Sequence, residues 1–382
     1  MHQKLSFSLL ILISGLFLFS SCNNDDDEIS IPMGFASSSY QKEYELLLGS
    51  DTLTIQPEIL NLPEEARFNW RLEGQHLSGD SRLNFVPTEA GNFILDLVVS
   101  TISDSIHRTY RLKVNDPYDL YYRPVTENSS EFISKVLAYK PAPGQYINST
   151  YGSMEDAIDL IGDKTATLSL GAWGGYIIFS FDHTIINREE NKDFIIYGNA
   201  MKGLSEPGIV KVSFDANGNG LADDEWYELA GSAHYKEGTL FSYGITYSNP
   251  GEYANVPWVD SKAVQDSVMI NAYHTQNYYP LFIEERSKMS FQGTRVFPKI
   301  NLDGFASIDA LEWGYVDNYD ADYASYGGNT MDIDWAVDEQ MNLVKLQGID
   351  FVKVYTGAQG NAGWLGEIST EIKGAADLSM LE

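Results

Sequence analysis

The sequence predicts an all-β protein: a small β-sandwich followed by a larger jelly-roll-like β-sandwich with long loops. Short runs rich in aromatic and β-branched residues recur along the chain, separated by glycine, asparagine and aspartate turns. Runs spaced by about 8–12 residues are typical of sandwiches. Of 382 residues, 43% are hydrophobic, which is enough for the cores of two or three domains.

Residues 1–21 are predicted to be a signal peptide rather than part of the fold. Lys4 supplies a positive start, and the apolar run from Leu9 to Phe19 is too short to cross a bilayer as a mature helix. Small residues precede Cys22, and this segment resembles the lipobox of bacterial lipoproteins, which implies acylation of Cys22. The alternative is an ordinary secretory signal with an incidental cysteine.

An acidic tether is predicted for residues 22–37. The run from Asn23 to Glu28 resembles the export tag that sends Bacteroidetes lipoproteins to the outer face of the outer membrane, and it also suits a plain solvated linker. Cys22 is the only cysteine, so no internal disulfide can form and stability must come from packing or from a metal.

The charge of the chain restricts its partners. The formal net charge is −29, or −30 once Lys4 is removed with the signal peptide. Phosphates would be repelled, so nucleic acid is excluded as a partner, and broad adhesion to anionic lipid is disfavoured. The 24 tyrosines and 7 tryptophans suit β-strands and also the recognition of ring-shaped ligands.

The first sandwich is predicted over residues 38–115. Strands are expected at Tyr44–Leu48, Thr52–Gln56, Arg67–Leu72, Gly91–Ser100 and Ile106–Val114. Phe68, Trp70 and Leu72 alternate and should share one face of their strand. With Trp70 and the turn at 87–93, the segment resembles a PKD-like or bacterial Ig-like module, which implies a spacer. Residues 116–130 are predicted to be a linker.

The second domain is predicted over residues 131–382. One short helix is expected at Met154–Ile161, with Ser153 as its N-cap. Strands are expected at Thr167–Leu170, Tyr176–Phe181, Phe194–Tyr197, Ile209–Phe214, Trp226–Leu229, Ser307–Trp313 and Phe351–Tyr355. The run at Tyr176–Phe181 is apolar on both faces, which indicates a strand between two packed layers.

The segment from Asp215 to Glu225 has the spacing of a calcium loop. Asp215, Asn217, Asn219 and Asp223 stand at positions 1, 3, 5 and 9, glycine stands at position 6, and Leu221 would offer its carbonyl from position 7. Trp226 replaces the usual carboxylate at position 12, so Asp224, Glu225 or Glu228 would have to complete the site. We expect structural calcium; the alternative is a metal-free Asn-Gly turn.

Two aromatic-rich loops are candidates for ligand contact, because long loops at one end of a jelly roll commonly carry the site. The alternative is that these loops bury their own aromatic rings. A second cation site is also considered at Asp332, Asp334 and Glu371. The candidate ligand residues are Tyr273, His274, Tyr278 and Tyr279 in one loop, and Trp313, Tyr315 and Tyr319 in the other.

Several phrases of the second domain resemble a family of Bacteroidetes cell-surface lipoproteins that accompany TonB-dependent outer-membrane transporters. Many loci of this kind resemble corrinoid (vitamin B12) uptake systems, so the resemblance implies an outer-membrane location and a transporter partner. The phrases are Leu168–Gly175, Asp193–Ala200, Ser205–Val210, Trp226–Ser232, Met331–Asp338, Ile349–Thr356 and Gly363–Ser369.

Three functions follow from these observations. The first is capture of a small molecule, a corrinoid above all, for a TonB-dependent transporter. The alternative is glycan binding in a polysaccharide uptake system, where aromatic side chains also serve. A hydrolase is less favoured, because the sequence has no Gly-x-Ser-x-Gly elbow, no His-Glu-x-x-His and six scattered histidines. The protein is therefore predicted not to be an enzyme.

Overall fold

A computed structural model describes residues 31–37, 40–49 and 51–381. The predicted cleavage, the lipidation of Cys22 and the acidic run at 23–28 lie outside the described residues. The chain divides into two compact units between Val114 and Asn115. Both are built mainly of β-strands, as predicted.

The described part of the first unit is a sandwich with one five-stranded sheet, in the order β2-β9-β8-β5-β6, and two smaller pairs, β1–β4 and β3–β7. Its described strands are β1 (Gly34–Phe35), β2 (Glu43–Leu47), β3 (Leu53–Ile55), β4 (Ile59–Leu60), β5 (Arg67–Leu72), β6 (Gln75–Ser78), β7 (Leu83–Phe85), β8 (Gly91–Ser100) and β9 (Ser105–Asn115).

Trp70 organises the core of this first unit. Its ring is fully buried and stacks on Tyr110 with centroids 5.9 Å apart, and its Nε1 donates to the carbonyl of Asp80. The hydrogen bond satisfies the indole N–H, which would otherwise be costly to bury. Met33 is also buried in this core, so the sandwich begins within the segment that was predicted to be tether.

The described part of the second unit, residues 115–381, contains three short helices, α1 (Pro117–Tyr121), α2 (Met154–Ile158) and α3 (Ala321–Tyr326). Single 3-10 turns occur at Ser232–Tyr235, Ile333–Trp335, Gly363–Leu365 and Leu378–Met380. Its strands are β10 (Lys135–Lys140), β11 (Leu168–Ser169), β12 (Tyr176–Ile186), β13 (Phe194–Tyr197), β14 (Gly208–Ser213), β15 (Tyr227–Leu229), β16 (Leu240–Ser248), β17 (Val256–Asp260), β18 (Gln265–Val268), β19 (Lys288–Arg295), β20 (Ile300–Asn301), β21 (Ser307–Ile308), β22 (Asn329–Met331), β23 (Ala336–Val337), β24 (Gly348–Thr356), β25 (Glu371–Ile372) and β26 (Gly374–Asp377).

Three sheets make up the body of the second unit. A six-stranded antiparallel sheet has the order β10-β12-β24-β14-β15-β23, and a three-stranded sheet has the order β22-β13-β26. Strands β12 and β24 are buried on both faces along much of their length, as the unbroken apolar run at Tyr176–Phe181 predicted. A four-stranded sheet, β18-β17-β16-β19, covers a separate aromatic core.

Several features of this unit differ from the sequence expectations, and helices α1 and α3 are among them because only α2 was predicted. The four-stranded sheet at 240–295 was not predicted. The strand expected at Ser307–Trp313 ends at Ile308, because the following backbone bonds to side chains instead of a neighbouring strand: Leu311 N donates to Asn318 Oδ1, and Trp313 N donates to Ser232 Oγ. Within the described residues, every helix is too short to cross a membrane.

Candidate functional site

The predicted aromatic loops place most of their rings in the core. Tyr278, Tyr279 and Tyr315 are fully buried. Tyr278 and Tyr279 join the aromatic core beneath the four-stranded sheet, where burial raises the pKa of each to about 12. These three rings have no exposed surface for a ligand, so the expectation of ligand contact is not supported for them.

The other predicted loop residues lie closer to solvent. Tyr273 is 82% exposed, and the half-buried His274 packs edge-on against Tyr146 with ring centroids 4.9 Å apart. Tyr319 is half-buried and its ring lies 5.7 Å from that of Tyr323. Trp313 is 37% exposed and faces a cleft.

The cleft at Trp313 has the features of a binding site. The indole rings of Trp313 and Trp335 lie 4.9 Å apart between centroids, tilted by 50°. Tyr235, which is 62% exposed, places its ring 6.5 Å from that of Trp313. The opening has a volume of about 350 Å³, and we call it the tryptophan cleft; it is lined by Lys192, Glu312, Trp313, Asp320, Ala321, Asp322 and Trp335.

One short backbone segment holds both tryptophans. Ala230 N donates to the carbonyl of Trp335 at 2.9 Å, and Ser232 N donates to the carbonyl of Trp313 at 3.0 Å. Residue 231 between them is glycine for a steric reason. A Cβ there would lie 2.6 Å from the Tyr315 ring and 2.9 Å from the carbonyl oxygen of Gly314. The two indoles are therefore positioned by backbone and by a buried ring, which favours a pre-formed site.

Acidic side chains line the cleft, but they already have structural partners. Asp320 caps helix α3 by accepting from Tyr323 N, and burial raises the pKa of its carboxyl. Asp322 accepts from the hydroxyl of Thr330. Lys192 places its ammonium 4.0 Å from the Trp335 ring centroid and 3.0 Å from Asp332. The aromatic walls are therefore edged by oriented hydrogen-bonding groups.

The predicted calcium loop folds around its own oxygens. Asp215 is buried and accepts from the backbone N–H groups of Asn219 and Gly220. The amides of Asn217 and Asn219 each donate to Asp223, which gathers four of the predicted ligand side chains on one side of the loop. Leu221 is exposed, and its N–H donates to Asn219 Oδ1.

Asp224 is the residue best placed to complete this loop. Its Oδ2 is buried with no hydrogen-bond partner among the described residues. Burial, with Asp215 and Asp223 nearby, raises the pKa of Asp224 to about 6. Glu228 faces elsewhere, since it bonds to His234 and Tyr355. A cation beside Asp224 would bind its unpartnered oxygen and would neutralise part of the negative charge of Asp215, Asp223 and Asp224. The residues therefore fit the calcium predicted from the spacing.

The second cation group considered from sequence does not assemble as expected. Asp332 pairs with Lys192, and Asp334 accepts from Asn187. Glu371 instead lies beside Glu206 and Asp317, with ligand atoms within 4.8 Å of one another.

Sequence reasoning missed Trp335 as a site residue. It stands in the motif at Met331–Asp338, which was used only as part of a family resemblance. No spacing links residue 335 to residue 313, because the 3-10 turn at Ile333–Trp335 brings the ring into place through tertiary contacts.

No family model matches this sequence. No curated protein matches it either. Solved structures with some similarity include SGBP-B of a Bacteroides ovatus mixed-linkage glucan utilization locus, in complex with a mixed-linkage heptasaccharide, at 12% identity and TM-score 0.20 over 62% of this chain and 46% of that one. This chain therefore spans about half the length of SGBP-B.

Two further solved structures are similar over more of the chain. One is a quinonprotein alcohol dehydrogenase-like protein from Bacteroides thetaiotaomicron, at 11% identity and TM-score 0.20 over 82% of this chain and 72% of that one. The other is a SusE-like protein, at 7% identity and TM-score 0.21 over 91% and 96%. With TM-scores near 0.2, none of these similarities assigns this chain to a family or gives it a ligand.

Proposed function

We propose that this protein is a lipid-anchored surface protein that binds a neutral glycan at the tryptophan cleft and presents it to a TonB-dependent transporter. The observation that carries the proposal is the pair of indole rings, the exposed Trp313 and the half-buried Trp335, at the wall of a cleft edged with carboxylates. A sugar ring has an apolar face of C–H groups and a rim of hydroxyls. The indoles suit the face, and the carboxylates suit the rim.

Charge favours a neutral sugar over an acidic one. Glu312, Asp320, Asp322 and Lys192 line the cleft. Because Glu312 pairs with Lys236 and Lys192 pairs with Asp332, the carboxylates of Asp320 and Asp322 supply the excess negative charge. A uronic acid or sulfated sugar would meet net repulsion there, while a neutral hydroxyl can donate to a carboxylate without a charge penalty.

Size favours a sugar over the corrinoid that was expected first. The cleft volume of about 350 Å³ is near the lower end of typical ligand pockets, which run from about 300 to 1,000 Å³. It suits one or two sugar rings, with the rest of a chain running along the surface. A corrin macrocycle with its side chains is several times larger, and three rings of the predicted aromatic loops are buried.

Binding without hydrolysis is part of the proposal. Glycosidases need two carboxylates free to act as acid and base or as nucleophile. Here Asp320 is engaged as a helix cap, and Asp322 accepts from Thr330. These bonds fix the carboxylates as acceptors.

The test is a ligand screen with the mature chain in calcium. A glycan array that holds neutral β- and α-glucans, mannans, xylans and uronic-acid polymers should give binding to neutral members only. Chromatography of the same glycans after incubation should show no shortened products. Calorimetry with cobalamin and cobinamide runs in parallel; heat with a corrinoid and none with any neutral glycan would overturn the proposal.

A further inference from the structure

Outside the tryptophan cleft, four carboxylates converge in the second unit. Glu206 precedes β14, Asp317 follows the bridge between Gly208 and Val316, and Glu371 begins β25. One oxygen of each of these three lies within 4.8 Å of the others. Glu367 stands nearby and acts electrostatically on Glu206 and Glu371. We call this group the acid pocket.

Most of the acid pocket is closed to solvent, and two of its oxygens have no partner. Asp317, Glu367 and Glu371 are buried, whereas Glu206 is partly exposed. Among the described residues, Glu371 Oε1 and Glu367 Oε2 have no hydrogen-bond partner. A buried carboxylate oxygen left in this state is costly, and it indicates that a group is missing beside it.

Three other oxygens of the pocket, on Asp317 and Glu206, accept hydrogen bonds from backbone N–H groups. Asn199 N and Glu371 N each donate to Asp317 at 2.9 Å, one to each carboxylate oxygen. Ser369 N donates to Glu206 Oε1 at 2.9 Å. The backbone at Gly198 lies close to the Asp317 carboxylate, since a Cβ on Gly198 would lie 2.7 Å from Asp317 Oδ1. The carboxylates are therefore oriented before any ion binds, as good metal sites require.

Charge in the pocket is uncompensated. Burial raises the pKa of Glu206, Asp317 and Glu371 above their ordinary values, and for Glu206 and Glu371 the neighbouring carboxylates raise it further. Among the described residues, none of the three forms a salt bridge with a lysine, arginine or histidine. Either protons or a cation must balance this charge when the domain folds.

A small cavity beside Glu206 and Glu371 offers room for the cation, and Asp317 lies outside its lining. Its volume is about 170 Å³, and its lining includes Gln145, Tyr146, Asn199, Glu206, Ser369 and Glu371. Water-sized spaces need only about 15 Å³, so an ion and several waters fit. The half-buried edge of Glu206 gives access from solvent.

We propose that Glu206, Asp317 and Glu371 form a calcium site, separate from the loop at 215–224. Oxygen ligands alone suit calcium, magnesium or manganese rather than zinc or copper. Calcium accepts six to eight oxygens in irregular geometry, which fits three carboxylates from separate segments completed by water. The ion joins three segments that lie far apart in the sequence, in a chain whose lone cysteine forms no internal disulfide.

The experiment counts calcium ions on the mature chain after treatment with chelator and desalting. Native mass spectrometry and calorimetry with calcium chloride should give two ions per chain. Glu371→Gln and Glu206→Gln should each remove the ion in the acid pocket, or lower its affinity by about tenfold or more. Asp224→Asn should remove the ion in the loop at 215–224. Glu285→Gln is the matched control, because Glu285 already pairs with Lys140 and should leave the count unchanged.

Stability provides a second readout. Glu371→Gln relieves repulsion in the ion-free pocket, so its ion-free form should melt above ion-free wild type and should gain less from calcium. If wild type binds one calcium ion, and Glu371→Gln loses this ion while Asp224→Asn keeps it, the result would still support the site in the acid pocket. A wild-type count of one that only Asp224→Asn removes, or a count of zero, overturns it. Glycan binding at the tryptophan cleft is scored separately, so the two proposals fail independently.

Discussion

The indole rings of Trp313 and Trp335 lie 4.9 Å apart, although the residues are 22 positions apart in the sequence (313 and 335) and neither belongs to a strand. Their backbone carbonyls accept from Ser232 and Ala230, on either side of Gly231. The segment at 230–232, which is distant in sequence from both tryptophans, thus holds the backbone of the pair. Binding would then cost little ordering entropy, because the aromatic surface is formed in advance.

This support predicts the effect of Gly231→Ala. The added methyl would press on the Tyr315 ring and on Gly314, so we expect a loss of about 1–3 kcal/mol in the free energy of unfolding, together with weaker glycan binding. Urea denaturation and calorimetry measure the two effects. Gly244→Ala is the control, since its Cβ would meet neighbours only at 3.7 Å. Equal stability of the two variants would contradict the proposed support.

The calcium loop predicts a contrast between adjacent acids. Asp224 has a buried, unpartnered oxygen, whereas Glu225 is exposed. Calcium should raise the melting temperature of wild type and of Glu225→Gln, because an ion that binds only the folded state stabilises it. Asp224→Asn should show a smaller rise in melting temperature with calcium, because the ion in the loop at 215–224 would no longer bind. Identical calcium responses in both variants would exclude Asp224 as a ligand.

His183 predicts a pH-dependent contribution to stability. Burial lowers its pKa, but hydrogen bonds to Asp377 and Asp182 outweigh burial and raise the pKa above the ordinary 6.5. The pKa values of Asp377 and Asp182 are lowered, despite burial, mainly by the bond to His183. A raised histidine pKa stabilises the fold below the unfolded-state value, and this contribution is lost as pH rises through the folded-state value.

The free energy of unfolding of wild type should therefore be about 2 kcal/mol higher than that of His183→Gln between about pH 4 and about pH 6.5. The difference should shrink above that window, as His183 loses its proton, and also at lower pH, as Asp377 and Asp182 gain theirs. Chemical denaturation from about pH 3 to about pH 9 measures this difference, because the range spans the ordinary pKa values of aspartate and histidine. A difference that grows steadily toward alkaline pH would have the wrong sign.

The loop at 271–279 predicts opposite outcomes for two of its tyrosines. Tyr278→Ala should cost about 3–5 kcal/mol of unfolding free energy, because it empties a fully buried site. Tyr273→Ala should change it by no more than about 0.5 kcal/mol, because that side chain is 82% exposed. Thermal melts of both variants are sufficient. A stable Tyr278→Ala would restore this ring as a candidate for ligand contact.

Local pattern predicted much of the framework. The strands at Arg67–Leu72, Gly91–Ser100 and Phe194–Tyr197 have the predicted bounds, because apolar runs closed by turn residues report burial directly. The short helix α2 begins where Ser153 predicted, with a capping box to Asp156. The four-stranded sheet was missed, although Tyr243, Ile245 and Tyr247 alternate within β16 and are all buried. That alternation was a usable signal.

The sites were less predictable, for a physical reason. The calcium loop is local, so its spacing is visible in eleven consecutive residues, Asp215 to Glu225. The acid pocket joins Glu206 to Glu371 across 165 positions (206 and 371), and the tryptophan cleft joins residues from separate loops. No sequence spacing encodes such meetings, because sheet order and turns decide them. Trp313 was identified from its loop, and its partner Trp335 was not.

The most direct test of the glycan proposal is calorimetric titration of the best neutral glycan into three single variants. Trp313→Ala and Trp335→Ala should each weaken binding about tenfold or more, equivalent to about 1.4 kcal/mol. Trp364→Ala should leave the affinity unchanged, since that 55% exposed ring pairs with Phe305 and does not line the cleft. Affinity unchanged in both cleft variants, or lost in Trp364→Ala alone, would contradict the account.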